Sequence, residues 1–429
     1  MDGELIETLT YQTIPDSPLR DYTKEGRITN CKVIASYNWL QEDGTIGVPG
    51  SGPPLFPFFL LKIVILDLDA ERDLLSRVIQ TGIPPKWTPA VNAQKIPNDR
   101  GIYFRDLNAA KWPRFPIEPA VRSIIQCNPS FDKRSIDIVC CGSTLGTLLQ
   151  FCANYESWSK PATMELEVIG DTLFITRREK YARETIRGVK GYGHNFLEAY
   201  TTWPEEAKGS ISHQRIINYQ FAGLNIALRY EVDAAFGDAG SEKSGVKESR
   251  PKEGSKTKSV TEDIVSLLGG MDMPYSARQA PSSNENHRES DSRALRIKSM
   301  GSSLDQGKQA DIETRATYNE VNMTEFAPRL WLRQIPCLIV AKHEAGTFDP
   351  DNISVQDLKK VTSEWEDENQ ELTMKLARLL YWLIDVAEEW EGSKIRLEIT
   401  STGNLEIRKR GAMGPRSVLP DDLKKEWCS

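Results

Sequence analysis

Apolar and polar positions alternate over Ile217, Tyr219 and Phe221 against Asn218 and Gln220, and again over Ile226, Leu228 and Tyr230. A period of two sends neighbouring side chains to opposite faces of a pleat, so two adjacent strands are predicted around Gly223. Met164 to Ile169 and Thr172 to Thr176 read as a second pair joined by a Gly170-Asp171 turn. Ile395 to Ile399 and Leu405 to Arg408 read as a third, around Gly403-Asn404. Short apolar runs at Cys31 to Tyr37, Phe59 to Leu66, Asp137 to Cys141 and Leu330 to Val340 predict further strands. Helical spacing appears elsewhere. Leu145, Leu148, Leu149 and Cys152 share a face behind a Ser143 cap, and Ala120, Val121, Ile124 and Ile125 follow Pro116 and Pro119. Val355 to Trp390 predicts one or two helices, with Trp365, Leu372, Leu376, Leu379, Leu380 and Leu383 on the apolar side.

These elements predict an α+β fold in which a mixed β-sheet core is flanked by helices. From about residue 238 to 310 the texture changes to Ser, Lys, Glu and Gly, with Tyr275 the single aromatic residue. Such a stretch buries too little apolar surface to offset the entropy of ordering it, so a long disordered insert is expected. The domain then has an N-terminal part, 31–237, and a C-terminal part, 311–411, between a flexible arm at 1–30 and a polar tail at 412–429. The Gly- and Pro-rich stretch from Gly44 to Pro57 is read as loop. Within the insert, Ile264 to Leu268 is a small apolar patch, and Ser259, Ser276 and Ser302 sit in basic-polar contexts suited to phosphorylation. The longest apolar run, Phe56 to Leu66, is broken by Pro57 and Lys62 and is too short to span a bilayer. The acidic N-terminus lacks the basic-then-apolar pattern of a signal peptide. An intracellular protein, nuclear or cytoplasmic, with no membrane partner is expected.

Seven cysteines with no C-x-x-C pair, and only four histidines, predict buried free thiols rather than a structural zinc centre. A net charge of -7 leaves no chain-wide basic field for nucleic acid. The local basic run Arg177, Arg178, Lys180, Arg183, Arg187 and Lys190 is read as a solvated loop. Phosphate-loop, dinucleotide-binding and serine-hydrolase signatures are all missing. Asp67, Asp69 and Asp73 read as a solvated strand-to-helix junction, and Gly142-Ser143-Thr144 as a helix cap that could also hold a phosphate. His194 and His213 are read as structural, and Tyr103, Phe104, Trp112 and Phe115 as core.

The most informative feature is acidic. Glu231 and Asp233 lie at i and i+2 where the alternation ends, so they face one side of a strand. Beyond the insert, Asp311 and Glu313 repeat that spacing. If the two strands are neighbours, four carboxylates converge, and their repulsion calls for a bound divalent cation such as Mg²⁺ or for raised pKa values. Arg215, Arg229 and Arg315 are candidate phosphate contacts, because guanidinium matches phosphate geometry.

The runs GIYFRDLNAAKWPRFPIEPAVRSI, DIVCCGSTLGTLLQF, GYGHNFLEAYTTW, SHQRIINYQFAGLNIALRYEVD and LWLRQIPCLIVAKHEAGTF resemble a widespread family of uncharacterised fungal proteins. Some members are labelled geranylgeranyl-diphosphate synthase, although this chain lacks aspartate-rich motifs. The E-x-D strand followed by a second acidic strand also resembles the core of PD-(D/E)xK nucleases, in particular the metal-dependent decapping exonucleases. That resemblance implies Glu231, Asp233 and Asp311 as ligands of Mg²⁺ or Mn²⁺, with RNA as the substrate. It implies catalytic positions for Glu313, which stands where the pattern has lysine, and for Gln334 on the following strand. Ala222 stands where the decapping enzymes have a glutamate. The leading expectation is therefore a metal-dependent phosphodiesterase, or a catalytically degenerate relative of one. The alternatives are a non-catalytic interaction protein with a partner-binding insert, and a prenyl-diphosphate enzyme, which would require an all-helical structure.

Overall fold

Residues 3–15, 25–41, 44–48, 83–153, 161–186, 188–236, 294–299, 304–390, 395–409 and 417–429 are described by a computed structural model of the chain. The predicted Phe59 to Leu66 strand, Asp67, Asp69 and Asp73, the Ile264 to Leu268 patch, and Ser259, Ser276 and Ser302 lie outside the described residues.

The alternating segments around Gly223 form a hairpin, strand Ser210–Phe221 against Leu224–Val232. Its turn holds both Ala222 (φ 47°) and Gly223 (φ 93°) in the left-handed region, which matches the twist of the flanking strands. An alanine there is unfavourable, and the Tyr381 hydroxyl secures it by donating to the Ala222 carbonyl at 2.8 Å. Ala222 therefore serves the turn.

The hairpin lies within an eleven-stranded mixed sheet. In spatial order its strands are Leu5–Leu9, Leu405–Lys409, Ile395–Ile399, Ala162–Ile169, Thr172–Arg178, Ile138–Cys141, Leu224–Val232, Ser210–Phe221, Ile28–Leu40, Thr45–Val48 and Arg296–Ser299. Ile138–Cys141 runs parallel to both of its neighbours. Helices Gly142–Ala153, Ala327–Arg333 and Gln370–Glu389 share one apolar core with this sheet. Helix Glu118–Cys127 and the C-terminal helix Asp421–Cys428 contribute to a second.

A second, seven-stranded sheet contains Ala234–Ala235, Gln309–Ala316, Cys337–Glu344 and Thr347–Asp357 as consecutive neighbours. Gln309–Ala316 and Cys337–Glu344 are parallel, with helix Ala327–Arg333 in the crossover between them. The chain leaves the first sheet at Val232 and enters the second at Ala234, so Asp233 occupies the corner where the two sheets meet.

Mixed sheets flanked by helices are what the sequence predicts, but several boundaries differ, and the Gly44 to Pro57 stretch read as loop carries strand Thr45–Val48. The N-terminal arm carries an edge strand, Leu5–Leu9, paired with Leu405–Lys409. The polar tail folds into Asp421–Cys428, whose Trp427 is 1% exposed and donates its indole N–H to Thr172 Oγ1 at 3.0 Å. Of the expected insert, Arg296–Ser299 pairs in parallel with Thr45–Val48, and residues 304–310 lead into the strand that begins at Gln309. Leu330 to Val340 is not one strand. Pro328 opens a helix that buries Leu330, Trp331 and Leu332, and the strand starts only at Cys337. A short apolar run buried on all sides reads alike in either conformation. The two sheets exclude the all-helical architecture that the prenyl-diphosphate reading requires.

Candidate functional site

Antiparallel pairing of Ala234 with Ala310 brings the two acidic strands together at the sheet corner, as the sequence predicts. Asp233 Oδ2 accepts the backbone N–H of Ile312 at 3.0 Å. Asp233, Asp311 and Glu313 are all buried. Burial first, and then the negative charge of Asp311, push the Asp233 carboxyl well above the usual range, and the Ile312 bond only partly opposes this. The direction favours the protonated form of Asp233 over the carboxylate.

Helix Ala327–Arg333 places Arg329 and Arg333 four residues apart, on one face, against these acids. Arg329 Nη2 lies 3.1 Å from Asp311 Oδ2 and 3.8 Å from Glu313 Oε2. Arg333 Nη1 lies 3.8 Å from the same Asp311 oxygen, and Arg315 Nη1 is 2.6 Å from Glu313 Oε1. A divalent ion needs carboxylate oxygens turned toward a shared centre. Here Asp311 Oδ2 and both Glu313 oxygens face guanidiniums, and one Asp233 oxygen holds an amide. Among the described residues no group of three or more His, Cys, Asp and Glu is placed to hold a metal ion. The strands converge as expected, and three arginines lie against Asp311 and Glu313.

A cleft opens beside this corner. Glu231, Asp233 and Asp311 line it, with Asp106 opposite, and so do Arg105, Arg177, Arg229, Arg329 and Arg333. Asp106 also caps helix Leu107–Lys111 by accepting the amides of Asn108 and Ala109. Arg105 and Arg177 share Glu179 at the rim. Cys141, Gly142 and Ser143, at the start of helix Gly142–Ala153, form another wall. The Cys141 thiol sits 2.8 Å from Thr144 Oγ1. A Cβ on Gly142 would come 3.3 Å from Arg333 Nε, so glycine lets the arginine pack closely against this helix end.

Arg229 is the unusual member. It is 6% exposed and donates to the Pro116 carbonyl at 2.9 Å. Burial works against its charge, but the Tyr37 hydroxyl, the Cys141 thiol and the more distant Asp106 raise its pKa overall, so it remains cationic. No carboxylate among the described residues lies within ion-pair distance of it.

The other sequence candidates are placed elsewhere. Gln334 is not on a strand; it ends the Ala327–Arg333 helix in a left-handed conformation (φ 51°), and its amide turns back to the Trp331 carbonyl at 2.7 Å. Arg215 is fully buried outside the cleft and donates to the Leu304 carbonyl at 2.8 Å. Arg315 serves Glu313. His213 shares a 2.6 Å bond with Asn38 Oδ1, and His194 stacks on Tyr103 at 3.6 Å, which supports structural roles for both. All seven cysteines are free. The sequence reading missed Arg329 and Arg333 because it took their segment as a strand. Read as a helix from Pro328, the same residues fall on one face. Arg177 was hidden in a run that looked like solvated loop; it is in fact the penultimate residue of the Thr172–Arg178 strand.

A family model described as a domain of unknown function (DUF8563) matches residues 69–428. No curated protein matches the chain in sequence. Among solved structures, Scheffersomyces stipitis Rai1 in complex with 3′-NADP⁺ and calcium is similar at a TM-score of 0.52 and 11% identity, covering 99% of each chain. The S. stipitis Rai1 structure described without those ligands gives 0.51 and 12%, covering 98% of this chain and 99% of that one. The fold is therefore that of Rai1.

Proposed function

The chain belongs to the DUF8563 family, and from its cleft we propose that it binds the 5′-terminal phosphates of RNA on arginine side chains without cleaving them by metal-dependent chemistry. The observation that carries this reading is Arg229. Among the described residues this buried guanidinium bonds a carbonyl and a hydroxyl and has no carboxylate at ion-pair distance, so an anionic ligand in the cleft would supply a direct counter-charge. Arg105, Arg177 and Arg333 face the same space, and the amides at the start of the Gly142–Ala153 helix add donors. The choice of a nucleotide ligand draws support from the fold, since S. stipitis Rai1 is described in complex with a dinucleotide, 3′-NADP⁺.

A metal-dependent phosphodiesterase is the second reading, with Glu231, Asp233 and Asp311 as ligands of Mg²⁺ or Mn²⁺. The adjacency of Asp233 and Asp311 favours it, and the S. stipitis relative is described with calcium. The test is to incubate a 5′-phosphorylated oligoribonucleotide with the protein in Mn²⁺ and in EDTA, and to follow both binding and chain length. Binding in EDTA that falls at least about tenfold in Arg229→Met, with the RNA intact in Mn²⁺, is the expected result. Mn²⁺-dependent shortening of the RNA would establish the second reading instead.

A further inference from the structure

The acids at the sheet corner are neutralised from within the chain. Asp311 Oδ2 is shared by Arg329 at 3.1 Å and Arg333 at 3.8 Å, and Glu313 lies between Arg315 at 2.6 Å and Arg329 at 3.8 Å. The Arg329, Asp311 and Glu313 side chains are 7%, 3% and 2% exposed. Charges held this deep must be matched closely in sign and position. We propose that Arg329 and Arg333 occupy the role of a divalent cation, and that removing Arg329 uncovers a latent metal site on Asp311 and Glu313.

The geometry makes guanidinium and metal mutually exclusive. A Mg²⁺- or Mn²⁺-sized ion binds carboxylate oxygen at about 2.0–2.2 Å. On Asp311 Oδ2 it would be forced against two guanidiniums with little water to screen the repulsion. The arginines also come from a rigid source. Pro328 starts their helix, Leu330, Trp331 and Leu332 bury its other side, and Gln334 ends it in a left-handed turn. The backbone that carries both arginines is thereby held in place. Removing Arg329 leaves Arg315 on one Glu313 oxygen and Arg333 at its longer distance from Asp311. The Asp311 oxygen that met Arg329 would then border the vacated volume, with Glu313 Oε2 on its other side. This inference stands apart from the RNA reading, since it concerns metal affinity and not ligand binding or turnover.

The experiment titrates Mn²⁺ into the full chain and follows free Mn²⁺ by electron paramagnetic resonance, with thermal melting in parallel. Wild type and Arg329→Lys, which keeps the cation, are expected to show no saturable binding and the same melting temperature in EDTA and in millimolar Mn²⁺. Arg329→Met is expected to bind one Mn²⁺ per chain and to melt higher with it, and adding Asp311→Asn should abolish both effects. Saturable binding by wild type that Asp311→Asn removes would overturn the proposal. So would a natively folded Arg329→Met that gains no Mn²⁺ affinity. Should Arg329→Met fail to fold, Arg329→Gln, which also removes the charge, takes its place in both measurements with the same two deciding outcomes.

Discussion

Asp233 Oδ2 accepts the backbone N–H of Ile312 at 3.0 Å, and this one bond joins the corner of the first sheet to the acidic strand of the second. Burial and the neighbouring Asp311 push the Asp233 carboxyl upward, against this bond, and so favour a form that holds the amide without adding negative charge.

Asp233 and Asp311 should therefore respond in opposite ways to the same substitution. Asp233→Asn preserves an oxygen acceptor and mimics the protonated acid. Asp311→Asn removes the carboxylate that lies 3.1 Å from the buried Arg329 guanidinium. Chemical denaturation at neutral pH is expected to show Asp233→Asn at least as stable as wild type, and Asp311→Asn less stable by about 3–5 kcal/mol. Equal losses in both would contradict the assignment.

The pH dependence of Asp233 has a definite sign. Above the ordinary carboxylate range the unfolded chain has lost this proton and the folded chain retains it. The folded state then binds more protons, so stability falls as pH rises, by at most about 1.4 kcal/mol per pH unit. Denaturation curves from pH 4 upward should show that decline in wild type and a flatter profile in Asp233→Asn.

His213 should act in the opposite direction. It is fully buried, and burial, followed by the charge of Arg215, pushes its pKa well below the usual value. The unfolded chain takes up a proton below about pH 6.5 that the folded chain refuses. Stability from this group is present above that pH and is lost as pH falls. Comparing wild type with His213→Gln at pH 7.5 and 5.5 tests this, and the acid-side loss should be smaller in the variant.

The C-terminal helix should be part of the fold. Trp427 is buried against Phe174 and bonded to Thr172, so Trp427→Ala is expected to cost about 3–5 kcal/mol. A midpoint unchanged in urea would mean that the helix only decorates the surface.

What the sequence revealed followed from period and turn chemistry. The hairpins at Gly170, Gly223 and Gly403, the helix after Cys141 and the meeting of the two acidic strands were all legible. What stayed hidden depended on long-range packing. Trp427 lies in a segment too polar to read as core, yet it buries against residues some 250 positions earlier. The Arg329 and Arg333 pair was lost because Leu330, Trp331 and Leu332 looked like the start of a strand, and the same misreading put Gln334 in the site. Carboxylates at i and i+2 announced a charge problem, and the sequence offered both a metal and raised pKa values as answers. The structure supplies raised pKa at Asp233 and adds arginines from a helix that the reading did not see.

The central claim is that the cleft recognises terminal phosphate through arginine and not through metal. The most direct measurement is fluorescence anisotropy of one oligoribonucleotide, with a 5′-phosphate or a 5′-hydroxyl, binding to the full chain in EDTA. One charge-assisted contact of about 1.4 kcal/mol corresponds to a tenfold difference, so the phosphorylated strand should bind at least about tenfold more tightly. Equal affinity for the two ends, or binding that appears only when Mn²⁺ replaces EDTA, would contradict the account.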